Sequence, residues 1–140
     1  NINHIDYLME ETAKAISFLT KYTTIISEPV INRTVLKQIR LLPLDEASVL
    51  LVIATEENFI KNHIIHVSSP IPEEDLHVIS GIINDVLQGF SIDEISPEVI
   101  YLLEARLGIY KKSHITKFME KGLITESQYR VMIEGEEDNN

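Results

Sequence analysis

The chain has 140 residues, 44% of them hydrophobic, which is enough for one domain with a real core. Its 22 acidic and 12 basic residues give a net charge of −10, which disfavours direct binding to nucleic acid or an anionic membrane, since both need clustered Lys and Arg. There is no cysteine, so disulfides, a thiolate nucleophile and Cys-based metal sites are excluded, and no apolar run approaches the roughly 18–20 residues that span a bilayer.

Absent cysteines and no visible signal peptide fit a cytoplasmic protein. The first residue is Asn, not Met, so an excised piece of a longer protein is expected.

Ile5, Leu8, Met9, Thr12, Ile16 and Leu19 recur at helical spacing, which predicts an amphipathic helix over residues 4–20. The β-branched run from Tyr22 to Ile26 predicts a strand, closed by Glu28 and Pro29, with Val30 to Thr34 as a loop. Leu36 to Leu42 alternates loosely and predicts a half-exposed strand with Ile39 and Leu41 on one face, stopped by Pro43 and Asp45. Val49 to Ala54 carries no polar side chain; a short run rich in Val, Ile and Leu predicts a strand buried on both faces. A turn at Glu56-Glu57-Asn58 and a strand over Phe59 to Val67 complete a central hairpin.

Pro72 suits the first turn of a helix, and Glu73, Glu74 and Asp75 complement its dipole. Leu76, Ile79, Ile83, Val86 and Leu87 form its apolar stripe, and Gly89 its cap. The fold class is therefore α+β: an antiparallel sheet of about four strands covered by two helices, followed by a small helical segment.

A soft boundary falls near residue 92, dividing a sheet-and-helix unit (1–91) from a mainly helical one (92–140). Ser96-Pro97-Glu98 starts a helix with Val99, Leu103, Leu107 and Tyr110 near one face, and Gly108 weakens its far end. Ser113 begins another, with Ile115, Phe118 and Met119 as its buried side, ending at Gly122 to Thr125. Thr125-x-x-Gln128 is a capping box and predicts a further helix over 125–134. The alternation of Tyr129, Val131 and Ile133 with Arg130, Met132 and Glu134 fits a strand equally well. Glu136 to Asn140 reads as a frayed acidic tail.

No chemistry stands out. His63 and His66, three apart on a strand, point to opposite faces and cannot chelate one metal without a bulge. His77 has Gly81, not a ligand, four residues on. The acidic clusters Glu10-Glu11, Glu56-Glu57 and Glu73-Glu74-Asp75 lack calcium-loop spacing and read as solvated turns and helix ends. There is no Gly-rich phosphate loop and no G-x-S-x-G. The one basic cluster, Lys111-Lys112 with Lys117 and Lys121, lacks interleaved aromatics and reads as a solvated face. No catalytic, cofactor-binding or metal-binding residue is assigned, and neither enzyme activity nor a cofactor is expected.

The apolar residues after residue 92 are another matter. Two short amphipathic helices carry more apolar surface than they can bury against each other, so Val99, Leu103, Leu107, Tyr110, Ile115, Phe118 and Met119 are the candidate self-association set.

Several segments, in order and spacing, resemble the heat-inducible transcription repressor (HrcA) family. Leu19-Thr20-Lys21-Tyr22-Thr23 is similar to that family's L-[ST]-x-Y-T segment, and Leu36-Lys37-x-Ile39-x-Leu41-Leu42-Pro43-Leu44 resembles the strand that follows. Val49 to Thr55, followed by Asn58 where Gly is usual, is similar to its V-x-V-T-x-x-G hairpin. Asn62-x-x-Ile65 and Ile82-Ile83-Asn84-x-x-Leu87-x-Gly89 resemble the next strand and helix, and Arg130-Val131-Met132-Ile133-Glu134-Gly135 resembles R-V-Y-L-E-G. From residue 92 the match thins.

The resemblance implies the first half of a GAF-like domain followed by part of an inserted dimerising domain, without the family's N-terminal winged helix. It further implies a homodimer that represses chaperone genes, with operator DNA contacted only through the winged helix and the groE chaperonin as a partner. The alternative is an independent GAF-like module sensing a small molecule, for which the sequence specifies no ligand.

Overall fold

The most apolar run of the chain becomes the middle strand of a sheet. The computed structural model describes residues 2–26, 35–56 and 60–137. In chain order these form α1 (Ile2–Ile26), β1 (Leu36–Asp45), β2 (Ser48–Thr55), β3 (Ile60–His66), α2 (Glu73–Leu87), a 3-10 turn (Ile92–Glu94), α3 (Pro97–Glu120) and α4 (Glu126–Glu137). The sheet is antiparallel in the order β1-β2-β3, so β2 is flanked on both sides. Asp45 accepts the Ala47 backbone N–H at 2.8 Å and so tightens the β1–β2 turn.

Period-two alternation sends Val49, Leu51 and Ile53 of β2 to one face, where they meet Ile39 and Leu41 of β1 and are buried. The register shifts between Leu36 and Gln38, which lets Leu36 and Ile39, an odd distance apart, both be buried. The other face of β2 is not covered to the same degree. Leu50, Val52 and Ala54 are only half-buried there, and Ile60 and Ile64 of β3 are exposed. The expected strand buried on both faces is thus buried on one; an apolar run reports hydrophobicity, not which face is covered.

Three further expectations are corrected. Residues 22–26 continue α1 and form no strand; β-branched residues cost a helix only about half a kcal/mol each, too little to end one. The sheet accordingly has three strands among the described residues, close to the expected four. Pro43 lies inside β1, tolerated because β1 is an edge strand where a missing N–H breaks no ladder. Ser113 caps nothing, because α3 runs unbroken from Pro97 to Glu120. Gly108 in its interior costs roughly 1 kcal/mol, outweighed by burial of Leu103, Leu107 and Ile115 along one side.

Other local readings hold. Thr125 and Gln128 form the reciprocal capping box, and the stretch after it is helix rather than strand. Ser96 accepts the Val99 N–H at 3.3 Å, with Pro97 in the first turn. Gly89 follows α2 at φ +91°, a conformation that glycine alone adopts without penalty. Pro72 sits one residue outside α2 as its N-cap residue. The loop and turn expected over 28–34 and 57–58 lie outside the described residues.

α1 buries Ile5, Leu8, Met9 and Ile16, and the Thr12 hydroxyl donates to the Leu8 carbonyl at 2.7 Å, which satisfies a fully buried polar group. α2 buries Leu76, Ile79, Ile83, Val86 and Leu87 and packs on β1. Its Asn84 closes the sheet edge: the side-chain oxygen accepts the Ile39 N–H at 2.7 Å and the amide donates to the Ile39 carbonyl at 2.6 Å. Ser80 accepts the Leu41 N–H at 2.9 Å. Beyond α2, Leu36 exchanges backbone bonds with Gly89 and Phe90. The β1 backbone groups that would invite a foreign strand are thus partly occupied from within. One hydrophobic cluster includes Leu51 and Ile79 together with Ile92, Ile95, Leu103 and Leu107, so the core is continuous across residue 92.

Candidate functional site

α3 is the element whose residues divide between two surfaces. Its inner side packs on α1 and α2. Of the self-association candidates, Leu103, Leu107 and Ile115 are buried within the chain, at 0%, 3% and 0% exposure. Val99 and Tyr110 are partly buried against the core cluster, and Phe118 and Met119 are partly exposed near the end of the helix. The residues that reach solvent lie on the opposite side: Tyr101 is 73% exposed, Ile109 65% and Leu102 51%. The sequence reading passed over this outer stripe. Its signal was present, since Tyr101, Ala105 and Ile109 recur every four residues, but the Leu103 stripe carries the same period.

Polar contacts fix the inner side of α3. Lys111 pairs with Asp6 of α1 at 3.1 Å, and Arg106 with Asp85 of α2 at 2.7 Å. Asp75, in the first turn of α2, is buried. The Tyr110 hydroxyl donates to its Oδ1 at 2.6 Å, and His114 Nε2 lies 2.9 Å from the same oxygen and 2.7 Å from the Tyr110 hydroxyl. With the tyrosine proton directed at Asp75, this geometry requires a proton on His114 Nε2, shared between the two oxygens. Burial, then the hydrogen bond and charge of Asp75, and then the charge of Glu74 raise the Tyr110 hydroxyl well above its ordinary pKa. A neutral phenol and an imidazole thus satisfy a buried carboxylate, and the cluster joins two helices without presenting a nucleophile.

His63 stands opposite Leu51 and His66 opposite Ser48 on alternate faces of β3, and both are exposed. Among the described residues no three His, Cys, Asp or Glu side chains converge as a metal site would require. A cavity of about 150 Å³ lies between α1 and the β2–β3 pair, lined by Ala15, Phe18, Leu51, Ile53, Lys61, Asn62 and His63. That is below the roughly 300–1,000 Å³ of a typical ligand pocket. No helix among the described residues is long and apolar enough to cross a membrane.

The chain is similar to curated proteins named heat-inducible transcription repressor HrcA. The relative from Clostridium perfringens is 36% identical over 107 residues, which is 76% of this chain and 32% of the relative. Those from Acetivibrio thermocellus and Clostridioides difficile are 32% and 31% identical, over 76% and 79% of this chain and 30% and 33% of their own lengths. The chain therefore spans about a third of the length of these relatives. No solved structure matches it. The profile of the family described as HrcA protein C terminal domain matches residues 6–138, and with nearly the whole sequence so matched the chain belongs to that family.

Proposed function

We propose that this chain is the effector and oligomerisation segment of a heat-inducible transcription repressor. The observation that carries the reading is the family match over residues 6–138 together with relatives that bear that name. At −10 net charge this segment is unsuited to polyanion contact. Operator DNA is accordingly assigned to a winged helix elsewhere in the whole protein, which acts in the cytoplasm as a homodimer matched to a two-fold operator. Residues 92–140 are assigned to self-association, with Phe118 and Met119 as the candidates left partly at the surface and Leu103, Leu107 and Ile115, together with Val99 and Tyr110, holding the helix on the core. A groE-type chaperonin is the partner that the family resemblance, rather than any contact in this chain, assigns. No catalytic role is proposed.

The test uses the full-length gene product, with and without the paired substitutions Phe118→Glu and Met119→Glu, titrated onto an inverted-repeat chaperone operator in a mobility-shift assay, with circular dichroism confirming that the variant keeps its helix content. The intact protein should bind specifically, and the variant at least about tenfold more weakly, because each half-site is then engaged independently. Equal binding by both would overturn the assignment.

A further inference from the structure

The inner face of the sheet is covered unevenly along β3. Val49, Leu51 and Ile53 of β2 stand opposite Ile65, His63 and Lys61 of β3 in the antiparallel ladder. Directly opposite residues project to one face, so all six belong to the side that carries the core. Ile65 is buried there at 3% exposure, whereas His63 and Lys61 are exposed. Between these two and α1 lies the cavity of about 150 Å³. Leu51 and Ile53 form its floor, Ala15 and Phe18 its wall on α1, and Lys61 and His63 its rim on β3.

Three properties set this cavity apart from a packing gap. Interiors seldom leave a void larger than a water molecule, and α1 places the small Ala15 where a larger side chain would fill the space. Polarity is divided by element: the β2 and α1 sides are hydrocarbon, and the β3 side carries the Lys61 ammonium and the His63 imidazole. Charge is also one-sided. Among the described residues that line the cavity none is acidic, although the chain carries −10 overall. An apolar pocket with a few convergent polar groups is the usual form of a small-molecule site.

Size narrows the ligand. The cavity is too small for a nucleotide, but a dry cavity of about 150 Å³ lined by Leu, Ile and Phe accepts a benzene ring. We infer that the cavity between α1 and the β2–β3 pair binds a small monocarboxylate whose apolar body is the size of one ring. The hydrocarbon rests on Leu51, Ile53 and Phe18, and the carboxylate meets Lys61 and His63. An ammonium and an imidazole N–H both donate to a carboxylate, and a charge-assisted bond is about twice as strong as a neutral one. Binding there is a property of this chain alone and does not rest on the repressor reading.

Amide chemical-shift titration of the isotope-labelled chain with benzoate tests it. Acetate supplies the carboxylate without the ring, and benzamide the ring without the charge. Benzoate should shift the Ala15, Leu51, Ile53, Lys61 and His63 amides saturably and leave Val131 on α4 unmoved. Its dissociation constant should lie in the millimolar range, as expected of so small a ligand. Acetate and benzamide should each bind at least about fivefold more weakly. Lys61→Gln, on the exposed rim, should reduce benzoate to the affinity of benzamide and leave benzamide unchanged. Ala15→Leu fills the cavity and should abolish benzoate binding, with helix content kept by circular dichroism. Benzoate that shifts nothing at millimolar concentration, or shifts amides scattered over the surface, would overturn the site. Benzamide binding as tightly as benzoate would reduce it to an apolar void and overturn it equally. Undiminished benzoate binding by Ala15→Leu or Lys61→Gln would put the ligand elsewhere and do the same.

Discussion

α2 and α3 pack against each other and reach opposite conditions. α2 has one apolar stripe, and all of it is buried; its polar residues face solvent except Asn84 and Ser80, which meet the β1 backbone, and Asp75, which is buried against α3. α3 buries an equivalent stripe through Leu103 and Leu107 and still carries Tyr101, Leu102 and Ile109 in water. The first helix buries its apolar stripe and the second leaves part of its apolar surface exposed. The difference teaches that hydrophobic period identifies a helix, but only the number of apolar faces tells whether the chain alone satisfies it.

The largest test of this contrast uses two adjacent leucines. Leu103→Ala removes a fully buried side chain and should cost about 2–5 kcal/mol in urea unfolding. Leu102→Ala, one residue away and half exposed, should leave monomer stability within about 0.5 kcal/mol and weaken only the dimer. If both destabilise the monomer equally, α3 does not have two distinct faces.

On α2 the matching test is Asn84→Ala, which leaves the Ile39 N–H and carbonyl without their side-chain partner. It should cost about 1–3 kcal/mol and open the β1 edge to pairing with other chains, read as light scattering on partial unfolding. A neutral substitution would show that the edge is satisfied some other way.

The contact between the two helices gives a pH dependence. The folded Tyr110 pKa is raised above its unfolded value, so the stability it contributes is complete below about pH 10 and is lost as pH rises beyond. Melting temperatures between pH 9 and 11 should fall more steeply for the parent than for Tyr110→Phe, and the Phe variant should be less stable at neutral pH by about 1 kcal/mol. Parallel pH profiles would contradict the buried arrangement. The smallest effect is Gly81→Ala on the outer side of α2, where an added Cβ meets nothing within 4 Å. It should stabilise the chain by about 0.5–1 kcal/mol in thermal melts.

Much of this fold was legible because local chemistry and tertiary packing agree. The acidic turn after Pro72, the stripe from Leu76 to Leu87 and Gly89 set α2; Ser96-Pro97 and Thr125-x-x-Gln128 set the starts of α3 and α4. Reading failed where packing overrides propensity. Residues 22–26 look like a strand but extend a helix. Gly108 and Ser113 look like a break, yet the side chains buried from Leu103 to Ile115 hold one helix across them. The candidate interface was half legible for a different reason. Period fixes which residues share a face but not which face turns inward, so the sequence pointed to α3 and to the stripe that the fold buries.

The chain contains no cysteine, so a single introduced thiol reports cleanly on the proposed self-association. A disulfide forms only when two Cα atoms approach within about 4.4–6.8 Å, and Ala105 lies midway along the exposed side of α3. Ala105→Cys, oxidised mildly at micromolar protein and run on a non-reducing gel, is predicted to become a covalent dimer far faster than Val131→Cys, with helix content unchanged. Equal, slow cross-linking of the two variants would contradict the account.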